Sequence, residues 1–125
     1  MGEHHVARDT RKVLESHLRR RSNGDLESDL AENYADDVVL LSSEGVHHGH
    51  DGVRLLATIL GSYVSSADYH YQQLLVEGEV GMLQWSASGA GVRIHDGADS
   101  YVVRGGLIVA QTIHYSTRPT DDTSN

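Results

Sequence analysis

The sequence contains no cysteine and no phenylalanine, and its ten Lys and Arg residues are outnumbered by eighteen Asp and Glu, for a formal charge of −8. Without cysteine no disulfide can form, which fits a reducing compartment. The negative charge argues against a nucleic-acid partner, because such binding depends on clustered Lys and Arg. In place of phenylalanine, six Tyr and the single Trp85 supply the aromatic rings. In a pocket, these rings would bring hydroxyl and indole donors with them.

Long apolar runs are also missing. No stretch approaches the ~18 apolar residues that span a membrane, and the N-terminal stretch MGEHHVARDTRK is too polar for a secretory signal. We therefore expect a cytoplasmic protein without membrane contact. A chain of 125 residues is long enough for one domain with its own core, which we assign to residues 1–116, followed by a disordered polar tail at residues 117–125.

Apolar residues recur at helical spacing in the first half of the chain and alternate in the second half. The predicted helices cover residues 5–21, 26–34 and 52–65, the last capped by Asp51, and the predicted strands cover residues 38–42, 46–48, 69–77, 80–95, 98–104 and 107–116. We expect a bulge or bend at Gly89 and Gly91, and turns at Asp96-Gly97 and Gly105-Gly106. Helices followed by a run of strands predict an α+β fold in which three N-terminal helices pack on a strongly curved antiparallel sheet around a cone-shaped pocket.

Several segments resemble one known superfamily: residues 24–26, 34–38, 48–53, Trp85 and residues 101–111. They are similar to the nuclear transport factor 2-like superfamily, and within it to the SnoaL-like and ketosteroid-isomerase-like branch. The resemblance implies a cone-shaped, cystatin-like fold. It implies less about activity, because this fold hosts isomerases, cyclases, dehydratases, hydrolases and non-enzymatic binders.

Asp99 is the first candidate for chemistry. It has the same parity as Tyr101 and Val103, so the three side chains share one face of a strand. A carboxyl group on an apolar face is costly unless it is paired or used. The resemblance adds that Asp99 stands where ketosteroid isomerases have their oxyanion-binding Asp, near the acid/base Asp of SnoaL-type cyclases.

The other two ketosteroid isomerase positions differ in this chain. The general base falls at Ser42, whose hydroxyl cannot act as an unassisted base at neutral pH. The oxyanion-binding Tyr falls at His17, which can donate a hydrogen bond or, when neutral, accept a proton. Chemistry in this pocket therefore requires a new partner for Asp99.

These observations predict one pocket for a small apolar molecule. The predicted catalytic residues are Asp99, His17 and Tyr101, with no cofactor, and the predicted ligand-binding residues are Val38, Leu40, Ser42, Trp85, Gln111, Ile113 and Tyr115. The expected function is an isomerase, cyclase or lyase acting on a small apolar carbonyl or polyketide-like compound. The alternative is a non-catalytic binding or accessory protein of the same fold.

Two further expectations concern the surface. His114 has the opposite parity to Ile113 and points to the outer sheet face, through which we expect a homodimer. His48 and His50 form a same-face pair without an obvious third ligand, so no metal site is expected.

Overall fold

The computed structural model of this chain describes residues 8–64, 68–89 and 91–120. Within these ranges the helices are α1 (Thr10–Ser22), α2 (Leu26–Asn33) and α3 (Gly49–Tyr63). The strands are β1 (Tyr34–Ser42), β2 (Gly45–His48), β3 (Tyr69–Glu77), β4 (Val80–Gly89), β5 (Val92–Arg104), β6 (Leu107–His114) and β7 (Arg118–Pro119). This order confirms the predicted α+β class. None of the described helices is both long enough and apolar enough to cross a bilayer.

The first two helices begin at aspartate caps. Asp9 accepts a hydrogen bond from the Lys12 backbone N–H at 2.9 Å, and Asp25 accepts one from the Ser28 N–H at 3.2 Å. These bonds satisfy N–H groups that have no partner inside the first helical turn. As a result α1 begins at Thr10 rather than at residue 5, while residues 5–7 of the predicted helix lie outside the described ranges.

The third helix begins at Gly49 rather than at residue 52. His48 is its N-cap, and Asp51, the predicted cap, lies in the first turn, where it accepts a hydrogen bond from Arg54 at 2.7 Å. Gly49 has a φ of 73°, and a Cβ at this position would lie 3.2 Å from the carbonyl oxygen of Asp36. Glycine therefore lets the chain turn directly from β2 into the helix.

The strands form a curved sheet in the order β2-β1-β6-β5-β4-β3, and β7 adds to β5. Neighbouring strands are antiparallel except β1 and β6, which run parallel and place Leu40 beside Gln111 and Ser42 beside Ile113. This pair departs from the predicted antiparallel sheet. β2 and β3 are the two edge strands of this order. In the part of the chain that the structure describes they do not pair with each other, so the sheet stays open.

Strand β5 is longer than predicted because Asp96-Gly97 is not a turn. The chain reverses near Gly91, which has a φ of 81°, and then continues without a break from Val92 to Arg104. Gly97 pairs with Trp85 on β4, and a Cβ on Gly97 would lie 2.2 Å from the Trp85 ring. The glycine is therefore required for space beneath the indole ring. The predicted bulge lies in β5 rather than at Gly89, since the register shifts between the Trp85 and Ala87 pairs.

Gly97→Ala is expected to lower the free energy of unfolding by about 1–3 kcal/mol, because the new methyl group must displace the buried Trp85 ring. Urea denaturation measures the change. Gly61→Ala is the matched control: Gly61 is exposed in α3 with no atom near its Cβ position, so it should gain about 1 kcal/mol from helix propensity. Equal effects of the two substitutions would contradict the packing role of Gly97.

Part of the predicted tail is ordered. Arg118 and Pro119 form β7 and pair with Arg93 and Val92 at the start of β5. Ser116 lies just before β7. Its backbone N–H donates a hydrogen bond to Asp96 at 2.9 Å, and its hydroxyl donates a second one at 2.6 Å. The exposed Asp96 thus ties the chain after β6 to the bulge of β5. Residues 121–125 lie outside the described ranges.

The hydrophobic core lies between the helices and the concave face of the sheet. Its fully buried members include Val13, Leu14, Leu30, Val38, Leu40, Ile94 and Ile108. Helix α1 approaches β4 closely: a Cβ on Gly81 would lie 2.3 Å from Leu14. This packing holds α1, and with it His17, against the strands that carry Asp99.

Candidate functional site

A cavity of about 210 Å³ lies between the helices and the concave face of the sheet. Its volume is below the ~300–1,000 Å³ of pockets for drug-sized ligands, so it suits a small molecule. Apolar side chains from α2 and α3 form one wall, among them Leu26, Val53, Leu56 and Leu60. The opposite wall is the sheet, and polar groups come from the sheet and from His17 and Arg21 of α1.

The residues predicted from the sequence converge on this cavity with one exception. Those that line it are His17, Leu40, Ser42, Trp85, Asp99, Tyr101, Gln111, Ile113 and Tyr115. Val38, predicted to bind the ligand, is fully buried in the core instead. It lies two residues before Leu40 on β1, a strand that both α2 and α3 contact.

Strand register brings the polar residues together. Side chains alternate along β5, so Asp99 and Tyr101 both point inward. Across the β5–β6 pair, Tyr101 lies beside Gln111 and Asp99 beside Ile113. Across the β4–β5 pair, Asp99 lies beside Leu83. The carboxyl group is therefore enclosed by side chains of three adjacent strands.

Asp99 is 9% exposed, and three donors surround its carboxyl group. Trp85 Nε1 donates to Oδ1 at 3.0 Å, Gln111 Nε2 donates to Oδ2 at 3.0 Å, and the Tyr101 hydroxyl lies 3.4 Å from Oδ2. Burial raises the pKa of Asp99, while the hydrogen bonds from Trp85 and Gln111 and the nearby His17 oppose that rise. Burial thus favours the protonated form of the carboxyl group, whereas the donors around it favour the ionised form.

The raised pKa of Asp99 predicts a pH dependence of stability. Because the folded state favours the protonated carboxyl, Asp99 stabilises the fold most below its unfolded pKa of about 3.9 and loses this contribution as pH rises through its folded pKa. Asp99→Asn cannot ionise and should not show this loss. As the pH rises from about 4 to 8, the urea midpoint of the wild-type protein should fall relative to that of Asp99→Asn. A constant difference across this range would contradict the prediction.

Tyr34 completes the surroundings of Asp99 through Gln111. The buried Tyr34 hydroxyl donates to Gln111 Oε1, and this contact orients the amide so that its nitrogen faces Asp99. Burial raises the pKa of Tyr34 well above its ordinary value, so the hydroxyl remains a donor. The sequence-based prediction missed Tyr34 because it assigned this residue to the end of α2. In the structure Tyr34 begins β1, whose pairing with β6 carries it to Gln111's side of the sheet.

A second buried pair joins α1 to α2. His17 Nδ1 lies 2.7 Å from Asp29 Oδ2, and Asn33 Nδ2 donates to Asp29 Oδ1 at 2.8 Å. His17 is 4% exposed and Asp29 is fully buried. The sequence-based prediction did not include Asp29. Its spacing from Leu26 and Asn33, on the buried side of α2, is the signal that could have identified it.

Tyr101 connects the two groups. Its hydroxyl lies 3.3 Å from His17 Nε2 and 3.4 Å from Asp99 Oδ2. Burial and the nearby Asp99 raise the pKa of Tyr101 well above its ordinary value, which keeps the hydroxyl protonated. A continuous chain of polar contacts therefore runs from Asp29 through His17 and Tyr101 to Asp99.

Ser42 lines the cavity, but its environment does not make it a base. The residue is half-buried, and its hydroxyl accepts a hydrogen bond from the Glu44 backbone N–H at 3.0 Å. The exposed Glu44 is the nearest acidic residue along the chain and also lines the cavity.

Aromatic rings form much of the remaining wall. Trp85 lies with its ring centroid 5.7 Å from that of Tyr69 and 5.9 Å from that of Tyr115. Tyr69 and Tyr71, which the sequence-based prediction did not include, also line the cavity, as does Arg21. Burial raises the pKa of Tyr69 to about 12. Such a wall favours a ligand with a flat or apolar body.

The histidines outside the cavity do not form a metal site in the described ranges. His50 Nε2 lies 3.1 Å from the carbonyl oxygen of Tyr34 and 3.7 Å from Asp36. Among the described residues, no three His, Cys, Asp or Glu side chains are grouped so that they could hold a metal ion. His114 is exposed and lies 3.6 Å from the carboxylate of Asp96.

The arrangement of three helices on a curved open sheet, with a cavity between them, agrees with the comparisons with known proteins. The SnoaL-like domain family matches residues 14–111 of this chain. The chain belongs to this family. The matched segment contains both His17 and Asp29 as well as Asp99, Tyr101 and Gln111. The resemblance to the nuclear transport factor 2-like superfamily and its SnoaL-like branch is thereby confirmed.

Solved structures support the same fold. An NTF-2 like protein of unknown function from Burkholderia xenovorans LB400 is 19% identical, with a TM-score of 0.71 over 86% of this chain and 82% of that chain. A protein from Sinorhizobium meliloti with the provisional name polyketide cyclase is 17% identical, with a TM-score of 0.67 over 82% of this chain and 94% of that chain. A de novo designed protein with a curved β-sheet is 20% identical, with a TM-score of 0.71 over 86% of this chain and 84% of that chain.

The designed protein shows how little such a likeness says about activity, because it reaches the same TM-score as the Burkholderia protein. At these identities the likeness establishes the fold alone. None of the curated proteins matches the chain. Function must therefore be argued from the cavity itself.

Proposed function

We propose that this chain is a small-molecule enzyme that uses Asp99 as a general acid/base on a small apolar carbonyl or polyketide-like compound, in an isomerase, cyclase or lyase reaction. The observation that supports it most is the buried Asp99 carboxyl on the wall of an otherwise apolar cavity, with its pKa raised by burial. A raised pKa brings a carboxyl group closer to the pH range in which acid/base catalysis is most efficient.

His17 and Tyr101 supply the other proposed roles. Removing a proton next to a carbonyl group creates negative charge on the carbonyl oxygen, and preformed donors stabilise that charge. Tyr101 is held protonated and is the proposed donor that orients Asp99, and Tyr115 in the cavity wall, whose pKa is also raised by burial, is the proposed donor to this oxygen. His17 lies behind Tyr101 and is the proposed partner of Asp99. This reaction needs no cofactor, because hydrogen bonds alone can stabilise an enolate.

The proposed ligand class follows from the walls. Leucine and valine side chains of α2 and α3 face the rings of Trp85, Tyr69 and Tyr115 across the cavity. Leu40 and Ile113 extend the apolar surface on the sheet side, and Gln111 and Ser42 add two polar contacts. The provisional name of the Sinorhizobium meliloti protein adds support for a polyketide-like compound.

Ser42 favours a second candidate function, a binding or accessory protein that holds the same ligand without turning it over. The position that would carry a general base in a ketosteroid isomerase holds a hydroxyl, already occupied by the Glu44 N–H. If Asp99 serves only to anchor a ligand, the protein binds the ligand without catalysing a reaction.

Hydrogen exchange in D₂O separates the two candidates. The protein is incubated with a panel of cyclic ketones and linear polyketide-like ketones, binding is followed by ligand-observed NMR, and exchange next to the carbonyl group is followed by loss of the proton signal. An enzyme of the proposed class exchanges a bound ketone faster than buffer does. Binding without exchange supports the binding protein, and failure to bind any member of the panel contradicts both.

We also propose that the outer face of the sheet forms a homodimer. Across five strands, Leu75, Met82, Ser100, Thr112 and Leu41 form one row on this face through the strand register. Leu75 and Leu41 are 48% and 45% exposed, and Val80 in the adjacent row is 55% exposed. A largely apolar, exposed sheet face is typical of a protein interface.

Analytical ultracentrifugation tests the dimer. The wild-type protein should sediment with the mass of two chains at micromolar concentration, and Val102→Glu, in the row of Val80, should convert it to one chain. Leu55→Glu is the matched control, since Leu55 is 46% exposed on α3, away from the sheet. A wild-type mass of one chain contradicts the proposal.

A further inference from the structure

One hydroxyl group lies between two possible acceptors at the bottom of the cavity. Tyr101 Oη is 3.3 Å from His17 Nε2 and 3.4 Å from Asp99 Oδ2, so the two distances are nearly equal. Both are longer than an ideal O–H hydrogen bond. The hydroxyl has one hydrogen and can donate to only one of the two groups at a time.

Asp29, at the other end of the chain of contacts, determines which nitrogen of His17 carries a proton. Asp29 Oδ2 is 2.7 Å from Nδ1, and Asn33 Nδ2 donates to Asp29 Oδ1 at 2.8 Å. If Asp29 is ionised, both of its oxygens are acceptors only, and Nδ1 is then the nitrogen that carries the proton. In the neutral ring, Nε2 is then an acceptor that faces Tyr101.

Two arrangements satisfy these contacts. In the first, protonated Asp99 donates to the Tyr101 oxygen and Tyr101 donates to neutral His17. In the second, the Asp99 proton has moved to Tyr101 and the Tyr101 proton to Nε2, so that ionised Asp99 accepts from Tyr101 and the His17 imidazolium donates to it. Each arrangement contains the same number of protons and the same net charge.

We propose that His17 and Asp99 share one proton through the Tyr101 hydroxyl, and that Asp29 is the positioning residue that directs Nε2 of His17 toward this hydroxyl. The catalytic meaning of this relay rests on the proposed function. In the second arrangement, the ionised Asp99 can remove a proton from a ligand while His17 keeps the shared proton, and Asp99 then returns a proton to the ligand in the closing step. The relay thereby supplies the proton partner that Ser42 cannot.

Other ionisable groups also surround the relay. On α1, Arg21 lines the same cavity, and on β1 the Tyr34 ring packs edge-on against His17 with a centroid distance of 5.6 Å. On α2, Glu32 accepts from Ser16, which in turn accepts from Asn33. On β3, Tyr71 lines the cavity. Arg8, which precedes α1, donates a hydrogen bond to Asn33 at 2.9 Å. Only Tyr101 touches both His17 and Asp99 in the described part of the chain.

The first test reads the His17 tautomer by ¹⁵N NMR of histidine-labelled protein, at a pH where the ring-nitrogen shifts of His17 are those of a neutral ring. His17→Gln identifies the signals. We expect the proton on Nδ1 in the wild-type protein, and on Nε2 in Asp29→Asn, whose amide nitrogen donates to Nδ1. The exposed His114 serves as the internal control and should not change. A wild-type proton on Nε2, or an unchanged tautomer in Asp29→Asn, overturns the role of Asp29.

The second test measures whether Tyr101 carries the coupling. Ionisation of Asp99 is followed by ¹³C NMR of its carboxyl carbon in the wild-type protein, His17→Gln, Tyr101→Phe and the double variant. His17→Gln should make Asp99 harder to ionise, since His17 favours the ionised form. In the Tyr101→Phe background this change should fall by more than about half, because the two variants then break the same link. Additive effects overturn the relay, since they indicate coupling through space alone.

Neither test requires a substrate. If His17 and Asp99 are coupled through Tyr101 but no ketone exchanges, the relay is supported and the proposed enzyme is contradicted. If a ketone exchanges but the coupling is absent, the enzyme is supported and the relay is overturned. Amide ¹H–¹⁵N spectra of each variant confirm that the fold is retained before the titration is interpreted.

Discussion

Asp99→Asn is expected to lower the rate of ketone hydrogen exchange by about 10²–10⁴-fold, the usual contribution of a general acid/base. The amide keeps the shape of the side chain and can still accept from Trp85 Nε1, which lies 3.0 Å from Oδ1 in the wild-type protein. It cannot take up a proton from the ligand. Exchange rates are measured in D₂O at saturating ketone, so that weaker binding does not imitate a slower reaction.

Ser100→Ala is the matched control for this prediction. Ser100 follows Asp99 in β5, but its side chain points to the opposite face of the sheet. It should exchange the ketone at the wild-type rate. If Asp99→Asn exchanges as fast as Ser100→Ala, Asp99 is not the acid/base of this cavity, and the binding protein becomes the better account.

Asp29→Ala is expected to lower the free energy of unfolding by about 2–6 kcal/mol, because each of two buried donors left without an acceptor costs about 1–3 kcal/mol. The substitution leaves His17 Nδ1 and Asn33 Nδ2 without their acceptor in the interior, where Asp29 is fully buried and His17 4% exposed. Urea denaturation at pH 7 measures the loss.

Glu32→Ala provides the comparison on the same helix. Glu32 is exposed and pairs with Arg20 at 3.0 Å, so its removal should cost within about 1 kcal/mol. A loss for Asp29→Ala no larger than that for Glu32→Ala would show that the buried pair contributes little to stability. Asp29 would then matter only for the orientation of His17, which the tautomer measurement reads separately.

Stability and proposed chemistry depend on the same contacts. Asp29, His17, Tyr101, Asp99 and Gln111 are all buried, and each has at least one hydrogen-bond partner within the group or next to it. Leaving one member unpaired is costly, whereas a fully satisfied network holds its side chains in one geometry. The network therefore stabilises the packing of α1 and α2 on the sheet and also pre-orients the groups around the ligand.

Most of the site on β5 and β6 was predictable, because side-chain alternation is a local property. The parity of Asp99 and Tyr101, and that of Gln111 and Ile113, correctly placed all four on the cavity wall. Val38 shares the parity of Leu40 but lies in the core instead of lining the cavity, which depends on nonlocal packing. Parity says which face a residue occupies and not whether that face is open.

Gly97 shows the same limit for turns. Asp-Gly is a strong local turn signal, yet here it continues a strand, because Gly97 makes room for the indole ring of Trp85 on the neighbouring strand. Next to Gly97, β5 has a bulge between the residues that pair with Trp85 and Ala87. The bulge changes which residue numbers face the cavity on its two sides. No pattern within a few residues of Gly97 contains the position of that ring.

By itself, the sequence determined the order of helices and strands, the family, and the inward face that carries Asp99, since periodicity and turn residues act over a few positions. Only the tertiary structure decided that Asp29 lies 2.7 Å from His17, and that Tyr101 lies between His17 and Asp99. These contacts join two helices and a distant strand. Their distances depend on how α1 and α2 pack against the sheet, and a hydrogen bond is lost when that packing changes by about 1 Å.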